Sequence, residues 1–400
     1  MRVLLTANAS YSPPRGGATR SNLVWLDHLA RAGHACRIVC GAPGEGAQLR
    51  HHESIAILAI SDPARRVQVL REQMREFRPD WVLVSSEDVG HALIREAHAG
   101  AEGRVVYIAH TPQFFPFGPA SWNPNPEAAA LIAKCAGIVV IGRHMAGYIE
   151  QSLGVPATVI HPPIYGSGPY ADFGKFERGL ITMINPCAVK GLSIFLAVAD
   201  RLSRLEFGVV PGWGTTAADR RAIARRSNIH ILPNAPSIDD VLSGERLLLA
   251  PSLWYEGFGL IVMESMLRGI PVIASDSGGL KEAKLGSGYI IPVHTIEKYQ
   301  PAYDEHAMPA PIVPENDPAP WVGAIEHLLA DRAAYEHESA LERTRALAFV
   351  GSLDAAAMER YLDALRPTAP AHNPRHTIES LSPEKRALLL QRLHRRLTVS

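Results

Sequence analysis

The stretch from Leu247 to Glu282, LLLAPSLWYEGFGLIVMESMLRGIPVIASDSGGLKE, restricts the possible folds of this chain more than any other. Leu247-Leu248-Leu249-Ala250 has the length of a buried strand. Pro251 and Ser252 end it, and a loop carries Glu256-Gly257-Phe258-Gly259. From Leu260 the apolar spacing turns helical, with Ile261, Met263, Met266 and Leu267, and Gly269 stops the helix. Pro271 to Ala274 reads as a second strand, followed by the turn Ser275-Asp276-Ser277-Gly278-Gly279 and another helix from Leu280. Two strand–loop–helix units in tandem predict an open α/β sheet, whose ligands bind at the carboxyl ends of its strands.

Two glutamates stand in this stretch, Glu256 in the loop and Glu264 inside the helix. The N–H groups of Gly257, Phe258 and Gly259 open that helix without intrahelical acceptors. They suit phosphate or sugar oxygens, and the helix dipole favours an anion there by roughly 0.3–1 kcal/mol. Glycine at 257 and 259 lets a ligand approach the backbone. Glu264, about two turns in, is placed to accept hydrogen bonds from a vicinal diol. Taken alone, the same residues also describe a glycine turn with two solvated glutamates.

The ordered pattern P-S-x-x-x-E-G-F-G-L-x-x-x-E-x-M-x-x-G-x-P-V-I-A-S, then G-G-L-x-E, resembles the donor motif of the retaining glycosyltransferases of family 4. The resemblance covers roughly residues 1–366 and is densest in 247–282. It implies a GT-B architecture: α/β, two facing Rossmann-like domains with an interdomain cleft. It also implies that Glu256 and the amides from Gly257 to Leu260 hold the donor sugar and phosphate, and that Glu264 holds the ribose.

With 400 residues, two domains with full cores are expected. Lys plus Arg and Asp plus Glu are 40 each, so no net field recruits nucleic acid or an acidic membrane. Cys36, Cys40, Cys135 and Cys187 have no metal-ligand spacing and read as free thiols in a reducing, cytoplasmic setting. Met1-Arg2-Val3-Leu4-Leu5 runs straight into a strand, so no signal peptide is expected, and no apolar run reaches membrane-spanning length.

The first domain is expected over 1–165. Strand 3–5 leads to a loop with Gly16-Gly17, then a helix closed by Gly33, then strand 37–40. This βαβ start lacks G-x-G-x-x-G, which argues against a nicotinamide enzyme. Gly16 and Gly17 alone are turn chemistry, but the resemblance implies that they face the donor diphosphate. Helix 63–77 leads to strand 81–84, with Ser85, Ser86 and Glu87 expected to cap a short helix. Strand 104–109 ends at His110, which the resemblance places beside the reacting sugar. The loop beyond it carries Phe114, Phe115 and Phe117, aromatic faces expected to shape the acceptor pocket.

Residues 166–179 read as the interdomain linker and 180–350 as the donor-nucleotide domain. Its first loop, Asn185 to Gly191, is expected to place Lys190 at a helix amino end beside the diphosphate. Many members of the resembled family carry arginine where this chain has Asn185, so the phosphate clamp lacks one cation, for which Arg15, Arg143 and Lys281 are candidates. Leu232 and Pro233 are expected at the base pocket. Residues 294–320 read as a long surface loop, and 351–366 as a helix crossing back to the first domain. After a linker over 367–378, residues 379–400 predict an amphipathic helix capped by Ser382-Pro383. It resembles linker or docking helices of modular peptide and polyketide synthases; a membrane-surface helix is the rival.

The implied reaction is transfer of a sugar from a UDP- or GDP-linked donor to an acceptor hydroxyl with retention, in natural-product or glycan biosynthesis. No cofactor beyond that substrate is expected. No Asp-x-Asp occurs, so no metal clamp is expected, and Lys190, Glu256 and His110 are the catalytic candidates. A sugar-nucleotide 2-epimerase of the same fold and a non-catalytic docking subunit are the alternatives.

Overall fold

The computed structural model of the chain describes residues 1–368 apart from Pro236. The predicted helix at 379–400 lies outside the described residues, as does its linker from 369 onward.

Two sheets carry the molecule. The first has eight strands: β1 (Arg2–Thr6), β2 (Ala35–Gly41), β3 (Ala47–His52), β4 (Ile55–Ile60), β5 (Trp81–Ser85), β6 (Val105–Ala109), β7 (Gly137–Val140) and β8 (Thr158–Val159). Their order is β3-β4-β2-β1-β5-β6-β7-β8, parallel except for β3 against β4. β1, β5 and β6 are short apolar runs, buried almost throughout because helices cover both faces. The second sheet is wholly parallel, with β9 (Leu180–Ile184), β10 (Phe207–Val210), β11 (Ile229–Ile231), β12 (Glu245–Ala250), β13 (Val272–Ser275) and β14 (Ile290–Ile291) in the order β11-β10-β9-β12-β13-β14.

Strand order fixes where a site can form. In the first sheet the chain leaves β1 toward β2 on one side and runs β5 to β8 on the other, so the order reverses between β1 and β5. In the second sheet it reverses between β9 and β12. Loops after neighbouring strands diverge at such points and open a crevice. The loops after β1 and β5 carry Gly16-Gly17 and Ser85 to Glu87; those after β9 and β12 carry Lys190 and Glu256.

Three local features differ from the expectations drawn from sequence. The chain forms the β3–β4 hairpin between strand 37–40 and the helix Pro63–Phe77, turning at Glu53 with φ 49°. Residues 294–320, read as a loop, contain the ribbon β15 (Tyr299–Tyr303) and β16 (Pro309–Pro311). Its proline-bearing register, Tyr299 opposite Pro311 and Tyr303 opposite Pro309, leaves no alternating apolar signal. Its tip is pinned to the helix that follows β10 in the same domain, where the Glu305 carboxylate accepts the Ala217 N–H at 2.9 Å. Ser85, Ser86 and Glu87 do not cap the next helix, Ala92–Gly100. Asp88 does, accepting from the Leu93 and Ile94 amides at 2.9 and 3.0 Å.

The last described helix, Ala357–Ala364, lies on the first domain, with Glu359 2.9 Å from His34. Helix Arg332–Gly351 stays on the second. There Glu342, fully buried, accepts the Val272 N–H at 3.0 Å and pairs with the fully buried Lys284. That pair ties helix Leu280–Ala283 and strand β13 to the outer helix.

Candidate active site in the interdomain cleft

The β9 and β12 loops are stitched together by backbone. Leu253 N–H donates to Val189 at 2.9 Å, and Gly191, at φ 85°, lies so close to the Pro251 carbonyl that a Cβ would sit 1.8 Å from it. This seam brings Lys190 Nζ to 2.5 Å from Glu256 Oε1, which also accepts the Ser252 hydroxyl at 2.6 Å. Both bonds fall on one oxygen, and Oε2 has no partner among the described residues. Lys190 Nζ also stands 5.0 Å from the ring centroid of Trp254, which tilts against Trp213 at 5.5 Å.

Gly259, at φ 110°, opens helix Leu260–Leu267. The N–H groups of Gly257, Phe258 and Gly259 donate to no backbone carbonyl among the described residues. They form an anion-favouring helix end beside the Lys190–Glu256 pair. Glu264 lies further along the same helix, 4 % exposed. Burial raises its carboxyl above the ordinary range, opposed by Arg20 and Arg268. Arg20 of the first domain reaches Glu264 Oε1 at 3.4 Å.

Across the cleft, His110 follows β6 directly and is buried. Its Nε2 lies 2.7 Å from Asn22 Oδ1, while the Asn22 amide donates to the Tyr11 and Ser85 hydroxyls at 2.7 and 3.0 Å. With both amide hydrogens engaged, Asn22 offers an acceptor, which puts the imidazole proton on Nε2. Nδ1 is then a bare acceptor with no partner among the described residues. Burial pulls the imidazole down to about 3, so it is neutral at any working pH. The two walls touch here: a Cβ on Gly257 would lie 2.4 Å from the His110 carbonyl oxygen, and only glycine admits that approach.

Gly16 and Gly17 meet the second domain, facing Trp213 and Leu260; a Cβ on Gly17 would be 3.0 Å from the Leu260 side chain. Leu260 itself is half-buried.

Three groups of expected site residues stand differently. Asn185, at φ 56°, turns its Oδ1 to the Gly214 N–H at 2.9 Å, so it braces the loop after β10, and its Nδ2 has no partner among the described residues. Phe115 and Phe117 are core residues, 0 % and 7 % exposed, packed with Tyr107 and Tyr148. Only Phe114 stays half-buried, edge-on to Trp122 at 5.2 Å. The Leu232 N–H is used by Val209 at 2.8 Å and Pro233 has none, so between them only carbonyl oxygens are open to a base.

Arg20, Asn22 and Glu282 were not among the residues expected from sequence. Glu282 accepts the Arg143 and His144 amides, both at 3.0 Å, and so caps the first-domain helix Arg143–Leu153 from the second domain. Asn22 left one signal, a polar residue within the apolar stripe Leu23, Leu26 and Leu29. Glu282 closes the G-G-L-x-E pattern, but its part in joining the domains left no signal, and Arg20 left none, because their partners are 139 and 244 residues away.

Two family models match the chain, glycosyltransferase family 4 over residues 15–165 and glycosyl transferases group 1 over 179–331. The sucrose-phosphate synthase of Thermosynechococcus elongatus superposes with a TM-score of 0.69 at 14 % identity, over 90 % of this chain and 98 % of that one. HepE of Anabaena, solved with UDP and glucose, gives 0.65 at 15 % identity, over 91 % and 98 %. A glycosyltransferase of Rickettsia africae gives 0.59 at 12 %, over 90 % and 96 %. A comparison with curated proteins finds no match. Each half matches a glycosyltransferase model, and the two facing sheets are those of the GT-B fold. This chain is a GT-B glycosyltransferase.

Proposed function

We propose that the enzyme transfers a sugar from a nucleoside diphosphate sugar, UDP- or GDP-linked, to an acceptor hydroxyl with retention of anomeric configuration. The observation that carries this reading is the Lys190–Glu256 pair set against the open amides of Gly257 to Gly259, with Glu264 further along the same helix. The amides and Lys190 receive the diphosphate, Glu264 the ribose diol, and Glu256 Oε2 a hydroxyl of the donor sugar. His110 Nδ1 accepts a hydrogen bond from another sugar hydroxyl. HepE, of the same fold, binds UDP and glucose, which supports the donor class.

In the proposed step the anomeric C–O bond to phosphate breaks, its electron pair leaving with the diphosphate. The acceptor oxygen bonds to the anomeric carbon from the same face, and its proton passes to the departing phosphate oxygen. Glu256 is held by Lys190 and Ser252, so we assign it to binding and not to covalent attack. The acceptor enters along the first domain, past Phe114 and Trp122. We further propose that no divalent metal takes part, on the absence of Asp-x-Asp from the sequence. Turnover that persists in excess chelator is the expected result; a strict magnesium or manganese requirement would overturn this.

A panel of nucleotide sugars tests the whole reading. Hydrolysis or transfer with one of them, read by mass spectrometry, and an unchanged anomeric configuration by NMR are expected. Epimerised sugar nucleotide as the sole product would favour the 2-epimerase, and no binding at all a docking role. The free cysteines fit a cytoplasmic location, and no described helix is long and apolar enough to cross a membrane. For residues 379–400 we propose docking to a carrier or synthase domain. Their removal is then expected to spare turnover of a small free acceptor and to reduce transfer to a carrier-bound one; lost liposome binding would instead mark a membrane helix.

A further inference from the structure

A departing nucleoside diphosphate carries several negative charges, and several cations stand around the cleft. Lys190 is tied to Glu256 at 2.5 Å. Arg268 pairs with Asp239 at 2.5 Å, whereas Arg143 and Lys281 make loose, exposed contacts to Glu282 and Asp276 at 3.5 and 3.6 Å, with neither touching Glu264. Asn185 is neutral and engaged with the Gly214 amide. Arg15 is exposed, and its charge acts on Glu87 of its own domain.

Arg20 differs from all of these in its place, between the glycine pair and Glu264. Its N–H donates to the Gly16 carbonyl at 3.0 Å, so the helix Gly17–Arg31 starts on the glycine pair and carries Arg20 in its first turn. The side chain crosses the cleft, half-exposed, and makes one long contact, 3.4 Å to Glu264 Oε1. A guanidinium has five N–H donors in a planar fork that matches phosphate oxygens. Most of that fork is uncommitted. Glu264 Oε2 has no partner among the described residues, so a ribose diol and Arg20 can share the carboxylate. We infer that Arg20, supplied by the first domain, is a cation that grips the donor diphosphate. This rests on the donor reading above and names a residue it does not contain. It also couples donor binding to the facing of the two domains: Glu264 and Arg20 sit on opposite walls, and a bound diphosphate bridges them.

The test is calorimetric titration of wild type, Arg20→Ala and Arg20→Lys with UDP and GDP, and with uridine and guanosine in parallel. Arg20→Ala is expected to weaken the preferred diphosphate by about tenfold or more. Nucleoside affinity should stay within about twofold of wild type, since a lost charge-assisted contact to phosphate does not touch the nucleoside. Arg20→Lys should recover part of the loss, and the salt dependence of diphosphate binding should flatten in the alanine variant. Equal losses for nucleoside and diphosphate would mean that Arg20 only steadies Glu264, and would overturn the inference. Unchanged or tighter diphosphate binding would mean that it merely latches the domains, and would overturn the inference as well. A wild-type protein that binds neither diphosphate brings down the donor reading and this inference with it. A wild type that binds, beside an alanine variant that binds equally, brings down the inference alone.

Discussion

The two walls of the cleft are built from opposite materials. On the second domain the functional side chains are charged and paired: Lys190 with Glu256, and Glu264 with an arginine that comes from across the cleft. On the first domain, Arg20 apart, they are neutral and buried, a chain from Tyr11 through Asn22 to His110 with Ser85 at its side. Burial works on both, with different results. It removes charge from His110 outright, whereas Lys190 and Glu256, partly exposed, stand as an ion pair at 2.5 Å. The difference assigns the labour. Charge that develops on a leaving group is met by the second-domain wall together with Arg20, while the buried His110 chain orients the sugar with hydrogen bonds that do not change with pH.

Removing the charged pair is the sharpest way to break this comparison. Lys190→Ala and Glu256→Gln should each lower kcat by about 10²–10³-fold, the usual cost of deleting a preorganised electrostatic partner. Steady-state kinetics on folded protein checks it, and a loss under tenfold would move the chemistry elsewhere.

The neutral wall is tested by pH. Wild-type turnover should show no ionisation of His110 between pH 5 and 8, because its imidazole protonates only at about 3. Asn22→Asp places a carboxylate on Nε2, raises the imidazole and should bring a titration into that window, with kcat down by about tenfold to a hundredfold. The stability sign is also set. The unfolded histidine takes a proton near its ordinary value of 6.5, so His110 destabilises the fold progressively as pH falls from there toward 3.

A smaller effect sharpens the donor wall. Glu264→Ala should weaken nucleoside diphosphate binding by about tenfold, as loss of a charged hydrogen bond to a hydroxyl does. Unchanged affinity by calorimetry removes Glu264 from the ribose site.

The smallest effect comes from the far end of β12. Burial raises the Glu245 carboxyl to about 8, and neither of its oxygens has a partner among the described residues. The folded chain holds that proton while the unfolded chain releases it near 4.5, so stability is lost as pH rises from there toward 8. Glu245→Gln should therefore raise the melting temperature more at pH 8 than at pH 5, with turnover unchanged. A gain independent of pH would refute the buried-acid account.

The geometry of the second-domain wall was largely legible, because its residues are close in sequence. Glu256, Gly257, Gly259 and Glu264 belong to one loop and one helix, so local spacing carries their geometry. The aromatic acceptor loop was misread for the converse reason. Phe114, Phe115 and Phe117 look alike in sequence, but β6 and the Tyr148 ring bury two of them and leave the third at the edge of Trp122. The ribbon at 299–311 stayed hidden because proline suppresses the alternating pattern by which strands are recognised.

The amino-acid sequence by itself determined the two-sheet α/β plan, the strand–loop–helix units and the placing of Glu256, Gly257, Gly259 and Glu264 on one loop and helix, since each depends on residues within a few turns of one another. Tertiary structure alone decided that Lys190 meets Glu256, that Arg20 meets Glu264 and that Asn22 fixes the tautomer of His110. Those pairs are 66, 244 and 88 residues apart. Their meeting follows from strand order and from the closing of one sheet edge on the other, and neither is encoded in local periodicity.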